Sequence, residues 1–424
     1  MTARLATVEL VPNRCVWGDL HVPPSGLRAR VGRRVVDALF RNAVSRLPIR
    51  VMFPDGTELG DRTLRDAPEM LVHRPLDFTA RVGESGLIGF GESYMAGDWS
   101  APDLTAVLEV FAARAATLIP QPLQRLRGLV IPKPPPSEKG TPRNTRANIP
   151  RHYDLSNELF ELFLDYTLTY SSALFDRTDV APSWHDLADA QRRKIDRLLD
   201  KAGVREGSRI LEIGTGWGEL AIRAAARGAT VRSVTLSTEQ QQLARNRVAE
   251  AGFADRIDVD LVDYRQVDGE YDAVVSVEMI EAVGHQFWGT YFRTLDRVLA
   301  PGGRVAIQAI TMPHDRMLAT RNTYTWVNKY IFPGGFLPSV RAIEEITEHE
   351  TSLRVRERLS MGDHYARTLR LWDERFAAHT DDVAGLGFDE VFRRMWHFYL
   401  CYSEAGFRSG YLDVQQIVLD RREE

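Results

Sequence analysis

The sequence predicts an α/β fold, a doubly wound and mostly parallel sheet, preceded by a smaller α+β domain. Beyond residue 150, short apolar runs alternate with helix-length amphipathic segments, the pattern of repeated strand–helix units. One such run, 209–213, breaks into Gly214-Thr215-Gly216-Trp217-Gly218 and then a helical stretch, the strand–turn–helix that opens a sheet of this kind. A third observation divides the chain. Segment 119–150 holds Pro120, Pro122, Pro132, Pro134, Pro135, Pro136, Pro142 and Pro150, too dense for a helix or a central strand. It reads as a linker between an N-terminal domain, 1–118, and a second domain, 151–424.

In the first domain, 47–53 and 77–82 read as strands, Pro54-Asp55-Gly56 as a turn, 104–118 as a helix and the glycine-rich 89–99 as a structural loop. In the second, strands are expected at 209–213, 229–235, 257–262, 271–277 and 304–310. Helices are expected at 219–227, 238–251 and 286–299, the last stopped by Ala300-Pro301-Gly302-Gly303. Ligands of such sheets bind at the carboxyl ends of the strands, which is where the informative polar residues fall.

Composition narrows the function. A chain of 424 residues with 44% hydrophobic and 26% charged residues describes a soluble, two-domain globular protein. No run of about 18 apolar residues is present to span a bilayer, and the N-terminus lacks a signal-peptide core. Cys15 and Cys401 alone make no disulfide framework, which fits a reducing cytoplasm. A net charge of −4 argues against a dedicated nucleic-acid binder. Arginine supplies nearly all of the 54 basic residues, as in proteins of GC-rich genomes.

The glycine turn alternates Gly-x-Gly-x-Gly behind the acidic Glu212, unlike the Gly-x-Gly-x-x-Gly of dinucleotide folds. A pyrophosphate needs bare backbone donors, whereas a cationic amino acid also needs a carboxylate. The turn therefore looks like the first motif of the class I methyltransferases that use S-adenosylmethionine (SAM). Glu212, Gly214 and Gly216 become cofactor candidates. Thr235 and Gln240 follow the second strand of the sheet, although Ser237-x-x-Gln240 also reads as a helix capping box. Asp263 and Tyr264 follow the third, offering a carboxylate for an adenine amino group and a ring beside it. No His/Cys cluster has metal-ligand spacing, so no metal is expected.

A set of longer motifs is more specific. His152-Tyr153-Asp154-Leu155-Ser156-Asn157, Tyr170-Ser171-Ser172-Ala173, Glu281-Ala282-Val283-Gly284, Asn328 through Gly335 and Leu337-Pro338-Ser339 together resemble the cyclopropane-fatty-acyl-phospholipid synthases and mycolic acid methyltransferases. The resemblance spans roughly 150–420. It implies methyl transfer from SAM to the double bond of an unsaturated, oleoyl-type acyl chain in a phospholipid. It also adds Tyr170 and Ser171 to the cofactor contacts, and Tyr153 to the catalytic candidates.

An alkene is a weak nucleophile, so transfer needs alignment in a dry cavity and stabilisation of the resulting carbocation. A base then removes one proton. In cyclopropane-forming members that base is a bicarbonate held by a cysteine, a histidine, a glutamate and a tyrosine. Here the cysteine position is Ser172 and the histidine position Gln308, while the glutamate and tyrosine remain as Glu281 and Tyr365. Where the family usually has glycine stands Glu278. If the chain turns helical there, Glu278 and Glu281 share one face, and Glu278 replaces bicarbonate, which is then not required. The competing reading pairs Glu278 with an arginine such as Arg265.

A hydride shift before proton loss gives an exocyclic methylene, which a flavin or nicotinamide reductase would convert to a mid-chain methyl branch of the tuberculostearic type. Direct closure gives a cyclopropane instead. A small-molecule methyltransferase and a non-catalytic lipid-binding scaffold are the other classes weighed. The segment 312–345, rich in aromatics over 312–340, reads as a lid and acyl tunnel or as ordinary core. Arg28, Arg30, Arg33, Arg34 and Arg41 form a candidate patch for transient contact with the inner face of the cell membrane, or else a solvated helix face. A homo-oligomer is left open.

Overall fold

A computed structural model describes Trp17, Leu20 and residues 22–61, 66–114 and 156–422. The proline-rich segment, Tyr153 and the rest of the His152–Leu155 run lie outside them, as do the side chains of Arg28, Arg30 and Arg34. By contacts the chain forms two units, Met1–Ile131 with Phe376–Cys401 and Pro132–Arg375 with Tyr402–Glu424.

The first unit carries helix α1 (Leu27–Val44) and strands β1 (Arg50–Met52), β2 (Glu58–Gly60) and β3 (Glu69–Val72). Helices α2 (Pro75–Ser85) and α3 (Leu87–Met95) follow, then β4 (Trp99–Ser100) and α4 (Leu104–Ala113). The sheet order is β2-β1-β3-β4. Two expectations fail here. Segment 77–82 is helix rather than strand, because Pro75 and Asp77 open a helical first turn and consecutive residues Phe78–Arg81 are buried, which strand alternation cannot do at a one-sided sheet. Segment 89–99 is mostly helix rather than loop. Gly89 sits where a Cβ would lie 1.9 Å from the Arg81 carbonyl oxygen, so that glycine serves close helix packing. Asp98 accepts from Arg74 (2.9 Å) and the buried Arg81 (3.0 Å). Arg394 donates to the carbonyls of Tyr94 and Trp99, fastening the later segment to this unit.

The second unit begins with α5 (Asn157–Phe163) and α6 (Trp184–Lys201). Next come β5 (Arg209–Ile213), α7 (Glu219–Ala226), β6 (Thr230–Thr235), α8 (Thr238–Glu250), β7 (Ile257–Leu261) and β8 (Tyr271–Val277). After the short α9 (Ile280–Val283) come α10 (Trp288–Val298) and β9 (Leu299–Thr311). There follow along the chain α11 (His314–Thr320), α12 (Trp326–Tyr330), α13 (Val340–Glu350), β10 (Leu353–Ser360), α14 (Gly362–Ala378), the helices Thr380–Gly385 and Glu390–Arg408, and finally β11 (Asp413–Arg421). The five expected strands are present. Helix α10 ends where expected, at Val298, and Ala300–Gly303 already belong to the start of β9, with Gly302 at φ 76° making the bend.

The seven strands lie in the order β10-β11-β9-β8-β5-β6-β7. Strands β5 to β9 are parallel, β11 runs antiparallel to β9, and β10 antiparallel to β11. Alternate residues face opposite layers. Leu211, Ile213, Val274 and Ile307 enter one core with Trp288, Tyr291, Phe292, Leu295 and Val298 of α10, the spacing of an amphipathic helix. Ile210, Val231, Ala273 and Ala306 enter the other with Leu198 of α6, Ala221 and Ala225 of α7 and Val248 of α8. The chain winds one way from β5 to β7 and the other way through β8 and β9. The crevice where that direction changes, beyond the carboxyl ends of β5 and β8, is the ligand position of such sheets.

Candidate functional site

Beyond β5 the chain takes positive φ at Gly214 (96°), Gly216 (52°) and Gly218 (92°), values L side chains rarely adopt. A Cβ on Gly214 would press on Met279 and one on Gly218 on Ala244, both at 3.3 Å, while one on Gly216 would project into open space. Trp217 Nε1 donates to Asn157 Oδ1 (2.9 Å), and Arg247 donates to the Trp217 carbonyl (2.8 Å) and Glu219 (3.0 Å), which fixes the turn. Below it Glu212 is buried and accepts from Ser233 Oγ at 2.5 Å. Burial pushes its carboxyl up to about 8.

At the end of β6, Thr235 Oγ1 donates to Gln240 Oε1 at 2.9 Å. Ser237 caps α8, accepting from Gln240 N at 3.2 Å. The Gln240 side chain turns to Thr235, so half of the capping box is made and the amide stays at the strand end. After β7, Asp263 accepts from Arg265 at 2.8 and 2.5 Å. That pairing corrects the alternative reading of Arg265, whose carboxylate partner is Asp263 and not Glu278. Tyr264 is buried and its hydroxyl has no hydrogen-bond partner among the described residues. The glycine turn, the open space over Gly216 and these strand-end groups fit a small ligand with a cationic amino-acid end and an aromatic base.

The second cluster centres on Glu278. It is one of two described non-glycine residues at positive φ, at 48°, so the predicted helical face shared with Glu281 does not form. Helix α9 starts only at Ile280. A left-handed backbone costs an ordinary residue about 1–2 kcal/mol, and such strain gathers at working sites. Its Oε1 accepts from the Ser172 backbone N–H (2.9 Å) and Gln308 Nε2 (2.8 Å), and its Oε2 from the Tyr365 hydroxyl (2.8 Å). Ser172 thus contributes its amide, its hydroxyl being turned to the Ala173 carbonyl.

Glu281 Oε1 accepts from Ile310 N at 2.5 Å, while its Oε2 is buried with no hydrogen-bond partner among the described residues. Burial and the charge of Glu278 push the Glu281 carboxyl up to about 8. Burial raises Glu278 too, but the Lys194 ammonium and three donors oppose it. Three donors face Glu278, while Glu281 has one and an unpartnered oxygen, so this geometry holds the pair's negative charge on Glu278 and its proton on Glu281.

Lys194 is a residue the motifs miss. Wholly buried, it donates to Ser171 Oγ at 2.6 Å, and burial brings its ammonium down to about 8. One of only five lysines, it stands in the apolar register of α6 with Leu187, Ile195 and Leu198; that mismatch is a readable signal. Tyr170 packs among Phe160 (5.1 Å) and Trp372 (5.3 Å). In the 312–345 region Phe336 stacks on Trp288 and its N–H donates to the Glu281 carbonyl at 2.8 Å. Of the arginine patch, Arg41 is committed to Asp37 and lies over Phe53.

The sheet order and the glycine turn define a class I SAM-dependent methyltransferase. Residues 141–417 match the family model described as mycolic acid cyclopropane synthetase, and the chain belongs to that family. It is 57% identical over 409 residues to the tuberculostearic acid methyltransferase UfaA1 of Mycobacterium tuberculosis, covering 96% of this chain and 95% of that one. It is 34% identical over 354 residues to the cyclopropane-fatty-acyl-phospholipid synthase of Escherichia coli, with 81% and 86% covered. Of solved structures, the cyclopropane synthase MmaA2 from Mycobacterium tuberculosis aligns with a TM-score of 0.59 at 33% identity, over 65% of this chain and 97% of that one. The mycolic acid cyclopropane synthase CmaA1 complexed with SAH and CTAB aligns with the same TM-score, identity and coverage.

Proposed function

We propose that this enzyme methylates the double bond of an unsaturated acyl chain in a phospholipid, giving a methylene-branched product of the tuberculostearic pathway, with Glu278 as its built-in base. The observation that carries this reading is the convergence of Ser172 N–H, Gln308 Nε2 and Tyr365 O–H on one buried carboxylate. All three are positions where the family resemblance places ligands of a bicarbonate ion. Bound SAM supplies an electrophilic methyl group. Glu212, Gly214 and Gly216 would hold its amino-acid end, Thr235 and Gln240 its ribose, and Tyr264 and Asp263 its base, with Tyr170 and Ser171 closing the site.

The residues around the acyl chain exclude water and stabilise positive charge. Glu278 faces the carbocation as an anion, and the ring of Tyr365 lies beside it. Oε1 already accepts two hydrogen bonds and Oε2 one, so the proton leaving the new methyl group goes to Oε2. The segment 312–345 acts as the lid over the acyl chain, and the enzyme touches the membrane surface transiently at the cytoplasmic side. Among the described residues no helix is long and apolar enough to cross a membrane. A flavin or nicotinamide reductase would consume the methylene product.

Lipids from a host that makes oleoyl phospholipids test the reading. Methylene and cyclopropane products share one mass, so nuclear magnetic resonance or ozonolysis must distinguish them. A cyclopropane would return the enzyme to the alternative assignment, and unmodified lipid would leave a scaffold or a small-molecule methyltransferase.

Bicarbonate supplies a further test. Turnover in carbon-dioxide-depleted buffer is expected to match that with bicarbonate added. Glu278→Gly relieves the positive φ and opens the anion position, so this variant should be slow and regain activity as bicarbonate is added. Saturable stimulation of the wild-type enzyme would show that Glu278 does not take the ion's place.

Glu212 gives a pH test. With its carboxyl near 8 it is mostly protonated at pH 7, and a cation placed beside it lowers that value. SAM binding at pH 7 should then release up to about one proton, and affinity should rise with pH until about 8 and flatten above. Calorimetry in buffers of different ionisation enthalpy reads the release, which Glu212→Gln should abolish. A binding enthalpy independent of buffer would remove Glu212 from the cofactor's surroundings.

A further inference from the structure

Three side chains behind Glu278 make a directional row. Gln416 on β11 lies opposite Gln308 on β9, and Gln308 lies opposite Val277, the last residue of β8 before Glu278. From α6, Arg197 Nη1 donates to Gln416 Oε1 at 2.6 Å, its other nitrogen being held by Glu357 at 2.7 Å. Gln416 Nε2 donates to Gln308 Oε1 (3.1 Å) and the Lys194 carbonyl (3.1 Å). Gln308 Nε2 donates to Glu278 Oε1 (2.8 Å) and the Ser172 carbonyl (3.3 Å).

We infer that Arg197 and Gln416 are positioning residues that fix the amide of Gln308 with its N–H toward Glu278, so that Oε1 is held as an acceptor that stabilises the ionised carboxylate and a proton enters only at Oε2. The inference rests on Glu278 being the working carboxylate. A guanidinium can only donate, so Gln416 must present its oxygen to Arg197 and its nitrogen to Gln308. Gln308 is then left with its oxygen inward and its nitrogen outward. Both hydrogens of each amide nitrogen have acceptors, so turning either amide over would set like atoms face to face. Gln416 and Gln308 are buried at 0% and 1% exposure, where water cannot repair such a mismatch. Hydrogen bonds in series polarise one another, so the cation at one end strengthens the donor at the other.

The remaining groups around the carboxylate are Lys194 from α6, Tyr365 from α14, Glu281 from α9 and, at longer range, Asp165 through its interaction with Lys194. Lys194 and Tyr365 also favour an ionised Glu278, and Glu281 is the proton-bearing partner. None of them dictates which way the Gln308 amide faces; the Arg197–Gln416 end does, with the Ser172 carbonyl accepting on the other side of the same amide.

Gln416→Glu tests this by reversing one atom. The introduced carboxylate would accept from Arg197 with one oxygen and turn the other toward Gln308 Oε1, driving Gln308 to flip its own oxygen onto Glu278. The readout is the pH profile of single-turnover methyl transfer, with SAM affinity and circular dichroism measured alongside. The acidic limb should move up by about one pH unit and the plateau rate fall by roughly tenfold, with SAM affinity within about twofold of wild type. Arg197→Met, which leaves both amides in place, should move the limb the same way by less; it decides the matter if Gln416→Glu does not fold.

A purely structural role would lower the rate without moving the limb. An unmoved limb in both variants, with the limb abolished in Glu278→Gln, would overturn the row and leave Glu278 as base. A limb that survives in Glu278→Gln would overturn the base assignment and the row with it.

Discussion

Glu278→Gln is expected to lower single-turnover methyl transfer by about 10²–10⁴-fold, the range for removal of a positioned general base, while SAM affinity stays near wild type. The pocket explains the size of the effect. Every group facing this carboxylate is a donor: the Ser172 amide, Gln308 Nε2 and the Tyr365 hydroxyl. A glutamine keeps one acceptor for Ser172 and Gln308 but presents an NH₂ where the second oxygen was, so the Tyr365 hydroxyl must turn from donor to acceptor. It also removes the charge that opposes Lys194 and, in the proposed mechanism, the anion that faces the carbocation. Loss of turnover without loss of cofactor binding marks an interaction made mainly in the transition state. Glu281→Gln and Tyr365→Phe should be impaired as well, Tyr365→Phe less, because Glu278 keeps its other two donors. Wild-type rate and product in Glu278→Gln would leave the residue structural.

Gly216→Val is expected to weaken SAM binding by on the order of 100-fold, equivalent to about 3 kcal/mol. Two effects combine. A β-branched residue does not tolerate the φ of 52°, and its side chain would fill the space over the turn, where nothing stands within 4 Å of an added Cβ. Gly302→Val separates them. Gly302 also has positive φ, 76°, and open surroundings, but lies at the start of β9, at the opposite end of the sheet. It should lose stability through the same backbone strain and keep its SAM affinity. Calorimetry and thermal melting on both variants check this, and equal affinities in Gly216→Val and wild type would remove the turn from the cofactor site.

Much of the second unit was legible along the chain. Strands β5 and β8 fall at the predicted residues because a buried parallel strand is a continuous apolar run bounded by turn residues, a purely local pattern. The glycine turn was legible for the same reason, since positive φ is a property of single residues. The motifs also brought Ser172, Gln308, Glu278 and Tyr365 forward as one chemical group before any distance was known.

The helix at Pro75–Ser85 was misread because six residues are too few to separate a strand from one turn of buried helix. The geometry around Glu278 was hidden for a different reason. A left-handed backbone at a glutamate has no local signature; its own N–H donates to the Gln308 carbonyl, and Ser172, Gln308 and Tyr365, from three distant segments, hold the side chain in place. That Ser172 works through its amide, that Asp263 claims Arg265, and that Glu281 keeps the proton are likewise matters of which atoms face each other across the fold.

Periodicity and spacing thus determined the sheet and the glycine turn, and the family resemblance brought forward the residues gathered around Glu278. Their hydrogen-bond polarity and charge state were decided only when β8, β9, β11, α6 and α14 came together, because burial and partnership, which set both, are properties of the assembled neighbours and not of any one segment.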